Sequence, residues 1–156
     1  MTKTDAGSRS SKLPVIAAVD GSSSSRAALA WAARYASLTD SPLTVMSIWH
    51  LPNFGTAIPI PDDWDPEADA RETLEREVKE VLGDGPHPSV SLSVVNGVPA
   101  TVLTDASKSA SLLVLGSRGR GEFAGMLLGS VSQFVTTHAR CPVVVVRGEP
   151  AGSPTP

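Results

Sequence analysis

Short apolar runs alternate with stretches of helical spacing along this chain, and that alternation constrains its fold more than any other feature. The runs are Val15–Val19, Leu43–Trp49, Ser89–Val95, Leu112–Leu115 and Pro142–Val146. Each is short and bounded by turn residues, so each reads as a strand. Between them, apolar residues recur on one helix face: Leu29, Ala32, Ala33 and Ala36; then Leu74, Val78, Val81 and Leu82; then Val102, Leu103 and Ala106; then Val131, Phe134 and Val135. Pro99 suits the first position of the third helix. Strands alternating with helices predict an α/β fold, a five-stranded parallel sheet with helices on both faces. The order 3-2-1-4-5 puts strands one and four side by side where the connections reverse, and a ligand crevice belongs at their carboxyl ends. Strand five is an edge in that order, which accommodates Pro142 at its start.

Two segments sharpen that expectation. Asp20-Gly21 and four serines follow strand one, a turn rich in helix caps. Gly116-Ser117-Arg118-Gly119 follows strand four, and Gly129-Ser130 opens the fourth helix, giving the spacing G-x-x-G-x9-G-S/T. Glycines at 116 and 119 allow close backbone approach to a ligand, and a helix start offers free N–H groups and a positive dipole end. Together they read as a phosphate cradle. A Walker P-loop is absent from the sequence. Gly119-Arg-Gly121-Glu-Phe-Ala124 matches a dinucleotide fingerprint in the wrong context, after the fourth strand and without the helix it should open.

Composition removes other classes. A net charge of −3 gives no global basic field for nucleic acid. The single Cys141 allows no internal disulfide framework and reads as a packing residue. Met1–Ser11 has no apolar core of a signal peptide, and no apolar stretch is long enough to span a membrane. A cytoplasmic location is expected. The segment from Asp65 to Asp84, with eight acids against three bases, reads as a solvated helix face.

With the V-D-G-S turn after strand one and the closing Cys-Pro-Val run, the glycine spacing resembles the universal stress protein family over about Pro14–Arg147. The resemblance implies a domain over 13–147; residues 1–12, rich in Thr, Ser and Lys, read as a disordered tail, and 148–156, with three prolines and two glycines, as a flexible one. It implies the ATP-binding subclass, with Mg²⁺ held mainly by the phosphates. It assigns Ala18 and Val19 to the base pocket, Asp20 to the ribose and phosphates, and Ile48 to the adenine. Leu115 and Gly116 fall on the ribose side and Gly119 at the phosphates. Gly129, Ser130 and Val131 cap the outer phosphates. Ser47 stands where the family often carries a histidine.

Each assignment has a plainer alternative. Asp20 suits a turn or a cap, and Ser130 a helix N-cap. Arg118 and Arg120 read as pointing into water, and His50, His87 and His138 form no metal spacing. Trp49 reads as core. ATP is expected to be a regulatory ligand in a stress response; the alternatives are a slow ATP-hydrolysing enzyme, a nucleotide-dependent transferase, or an interaction module without nucleotide. A homodimer is expected along the strand edge at 142–146. The loop Leu51–Trp64, with prolines 52, 59 and 61 and several apolar side chains, is long enough to act as a lid over the crevice.

Overall fold

Successive residues of the first strand are buried in opposite directions, and this sets the architecture. In β1 (Val15–Ala18), Val15 and Ala17 enter one core cluster and Ile16 the other. A strand buried on both faces is apolar throughout rather than alternating. The computed structural model describes residues 12–51, 61–119 and 125–148. Within these follow α1 (Ser23–Thr39), β2 (Leu43–Trp49), α2 (Pro66–Leu82), β3 (Val90–Asn96), α3 (Pro99–Ala106), a single 3-10 turn, β4 (Leu112–Gly116), α4 (Ser130–His138) and β5 (Val143–Val146). All neighbouring strands are parallel, in the order β3-β2-β1-β4-β5. The expected α/β architecture is the observed one, with β1 beside β4 and β5 at an edge.

α1 and α2 cover one face of the sheet through Leu29, Ala32, Ala33, Ala36 and Leu74. α3 and α4 cover the other through Leu103 and Val135, against Ile16, Met46, Leu113 and Leu115. Local chemistry sets the helix ends. Asp65 caps α2 by accepting from the N–H groups of Glu67 and Ala68, with Pro66 in the first turn. α1 stops at Asp40, whose φ of 49° turns its N–H back to the carbonyl of Ala36.

Some expectations shift. β5 begins at Val143 because Pro142 has no N–H for the ladder, although its carbonyl accepts from Leu113 at 3.0 Å. β1 ends at Ala18, one residue early, and β3 runs one residue later than expected. Phe134 is not core: it is 43% exposed and stacks on His138 one turn along, with ring centroids 4.0 Å apart. Glu77 leaves the solvated face of α2; it is 4% exposed and meets Arg26 of α1 at 3.6 Å. The lid expectation falls on residues 52–60, outside the described residues, as do both terminal tails except Lys12 and Gly148.

Candidate functional site

The carboxyl ends of β1, β2 and β4 open into a cavity of about 540 Å³. Ala18, Val19 and Asp20 reach it from the end of β1, Ile48 from β2, Leu115 and Gly116 from β4, Gly119 from the loop beyond, and Gly129, Ser130 and Val131 from the start of α4. Every residue that the family resemblance assigned to the nucleotide thus borders one space. The volume lies within the roughly 300–1,000 Å³ range of small-molecule sites.

The cavity has two chemically different ends. Ala18, Met46, Ile48, Pro99 and Leu103 form an apolar wall. At the other end α4 begins with no side-chain cap on Gly129. Among the described residues no acceptor meets the N–H groups of Ser130, Val131, Ser132 or Gly119, so the helix start presents bare donors. α4 is held there by two bonds to the strand-four end: Gly129 N–H donates to Ser117 O at 2.7 Å, and Ser132 Oγ donates to Gly116 O at 2.7 Å.

The serines after β1 brace the glycine loop. Ser22 caps α1 by accepting from Ser25 N–H at 3.2 Å. Ser24 Oγ, buried, donates to the Arg118 carbonyl and accepts from the Arg118 N–H at 3.4 Å. Asp20 is the turn residue its plainer alternative describes, since its Oδ1 accepts from Ser22 N–H at 3.0 Å and Ser22 Oγ at 2.6 Å. It also borders the cavity, so the two roles coexist.

The glycines differ in what they need. A Cβ on Gly116 would lie 2.5 Å from Ser24 Oγ and 2.7 Å from Ser25 N. Its bareness therefore serves packing against α1, while Gly116 also borders the cavity. A Cβ on Gly119 would lie 2.9 Å from Asp20 Oδ2, and Gly119 has no positive φ. A Cβ on Gly129 would meet nothing closer than Arg118 Cα at 3.4 Å, an ordinary contact. Past β5, a Cβ on Gly148 would lie 2.8 Å from Ser24 N, and Ser117 N–H donates to Val146 O at 2.8 Å. The last strand and its exit thus pack against the same turn.

Two residues set aside in the sequence border the cavity. His50 continues the face of Met46 and Ile48, and a period of two along the strand carries the signal that would have found it. Arg118 also lines it, whereas the spacing alone left it in water; Arg120 lies outside the described residues. Ser24, Ser25 and Ser132 were also missed as individual contributors. Ser47 faces a second cavity of about 430 Å³ between β2 and α2, which shares Val19, Asp20 and Ile48 with the first. Cys141 packs against the second core cluster, and burial pushes its thiol pKa up, the opposite of activation. Among the described residues, no three His, Cys, Asp or Glu side chains group as a metal site.

Comparison with known proteins matches the universal stress protein family profile over residues 13–147. A universal stress protein of Mycobacterium tuberculosis is 36% identical over 151 residues, covering 91% of this chain and 50% of its own length. The chain therefore spans about half the length of the curated relatives it matches. A universal stress protein from Archaeoglobus fulgidus, solved in complex with dAMP, is 27% identical with a TM-score of 0.60, covering 87% of this chain and 98% of its own. Another universal stress protein, solved in complex with cAMP, shares the fold at a TM-score of 0.62 and 23% identity, covering 90% of this chain and all of its own length, 100%. A profile match that takes in every strand and helix just described means that the chain belongs to the universal stress protein family.

Proposed function

We propose that this chain binds ATP in the cavity at the strand ends and uses it as a regulatory ligand in a stress response. The observation that carries this is the division of one cavity into an apolar wall and an end lined by N–H groups that no acceptor meets among the described residues. Ala18, Val19, Met46 and Ile48 offer a flat apolar slot for a base, and Asp20 offers a carboxylate oxygen for ribose hydroxyls. Gly119, Ser130, Val131 and Ser132 offer donors for phosphate oxygens. The dAMP complex of the Archaeoglobus fulgidus relative supports an adenine nucleotide as the ligand class.

Mg²⁺ would be held mainly by the phosphates. Asp20 is the one carboxylate on the described wall, and a lone carboxylate makes a poor cage without oxygens from the ligand. Bound this way, the phosphates supply charge that draws the glycine loop, the α4 start and the β1 turn together. Slow hydrolysis is the second reading, supported by Asp20 and His50 sharing the wall as groups able to take a proton. The edge position of β5 among the described strands supports a homodimer as the working form, and the cytoplasm is its proposed location.

Mass spectrometry of small molecules released from freshly purified protein, with calorimetric titration of ATP, tests the proposal. Stoichiometric adenine nucleotide and a saturable heat are expected. A cavity that takes up no adenine nucleotide at millimolar concentration overturns it. Phosphate release over many turnovers separates the ligand reading from the enzyme.

A further inference from the structure

Arg118 lines the cavity at its donor-rich end, and its main chain is held on two sides. Its N–H and carbonyl are both bonded to Ser24 Oγ, and the carbonyl also accepts from Ser22 Oγ at 3.3 Å. Its Cα is the nearest atom to the space beside Gly129, at 3.4 Å. The residue therefore stands where the first turn of α1 and the uncapped start of α4 converge. Its side chain is half-buried and joins no ion pair among the described residues.

The charges around the described wall are few: Asp20, His50 and Arg118. Arginine alone of these is a permanent cation, and its planar fork matches two phosphate oxygens at once. Backbone N–H groups at a helix start serve one or two phosphates equally well. They do not by themselves favour a longer phosphate chain.

We infer that Arg118 sets the phosphate count of the ligand, making this cavity prefer nucleoside di- and triphosphates over mono- and cyclic phosphates. This rests on the nucleotide reading above and adds a selectivity that reading does not contain. A rigid main chain aims the guanidinium from a fixed base, which limits the entropy lost on engaging phosphate. The preference needs no extra basic residue, in keeping with a wall where one carboxylate already sits beside the glycine loop.

Calorimetric titration of the full chain with adenosine, AMP, ADP and ATP is the test, on the natural sequence, Arg118→Ala and Arg118→Lys. ATP is expected to bind the natural sequence more tightly than AMP. Arg118→Ala should weaken ATP by about 10- to 100-fold while leaving adenosine unchanged within about twofold. Arg118→Lys, which keeps the charge but not the fork, should fall between. The main-chain bonds to Ser24 remain in both variants, so unchanged apo melting is expected and checks the fold. Equal ATP affinity in Arg118→Ala overturns the inference, as does an equal loss for all four compounds. A natural sequence that binds none of them overturns the nucleotide reading, and the inference falls with it. One that binds all four equally overturns the inference alone.

Discussion

Ser24 and Arg118, 94 residues apart, are joined twice through a single hydroxyl: Ser24 Oγ donates to the Arg118 carbonyl and accepts from its N–H. The hydroxyl stands in for a strand partner that the loop does not have. Ser24→Ala leaves a part-buried carbonyl and N–H without it. We expect a loss of about 1–3 kcal/mol, read in urea melts, and weaker nucleotide binding. Unchanged stability would mean that Ser22 and the Gly129–Ser117 bond suffice to hold the loop.

Gly116 and Gly129 should answer alanine differently. At 116 the new Cβ runs into the α1 backbone, so Gly116→Ala should cost about 1–3 kcal/mol of stability. At 129 there is room among the protein atoms, so Gly129→Ala should keep apo stability within about 1 kcal/mol and lower ATP affinity. Thermal melting and titration of the pair separate packing from ligand contact. The same loss of stability in both would contradict it.

Saturating Mg-ATP should raise the melting temperature. At about 100 times Kd the gain is roughly 2.7 kcal/mol. For a domain of this size that is about 5–11 °C. Gly119→Val, whose side chain would press on Asp20 Oδ2, should abolish the shift. A melting point indifferent to millimolar Mg-ATP would count against the site.

The edge of β5, which no other described strand covers, gives a direct test of dimerisation. Pro142 O and Val146 O point to β4, so alternation turns the N–H and carbonyl of Val145 outward. Val144 and Val146 pack against the first core cluster, and lysine there would disturb the fold as well. Val145→Pro removes only an outward donor. Sedimentation should show a dimer for the natural sequence and a shift toward monomer for this variant; an unchanged dimer would place the interface elsewhere.

Cys141 gives a pH dependence with a definite sign. Burial raises its folded pKa, so the folded chain resists losing the proton. Its contribution to stability is complete below the unfolded thiol's pKa of about 8.5. It is lost as pH rises through the raised folded value. Alkylation by iodoacetamide should rise with pH later in the native chain than in the urea-unfolded chain. Coincident midpoints would contradict this.

The strand order was legible because the apolar runs are short and each helix carries a clear stripe. The glycine spacing brought Gly116, Gly119, Gly129 and Ser130 to one place. What stayed hidden depended on side-chain direction. His50 reaches the cavity only because β2 keeps Met46, Ile48 and His50 on one face. Glu77 is buried because Arg26 of α1 comes within 3.6 Å, a contact across helices that no local pattern encodes. That Gly116 must be bare for the sake of α1 was not legible either, because spacing cannot tell a close ligand from a close helix.

The bond from Ser117 N–H to Val146 O, with Gly148 against Ser24, has a consequence for how the chain is made. The turn at 20–25 leaves the ribosome early, the glycine loop much later, and β5 after both. The cavity therefore cannot be finished vectorially. Its first wall must wait for the Arg118 partner of Ser24 and then for the segment past β5 that packs on the same turn. A ribosome stalled before Val146 would carry the sheet's centre but not the acceptor for Ser117, so the strand-four end is complete only once translation has reached this strand.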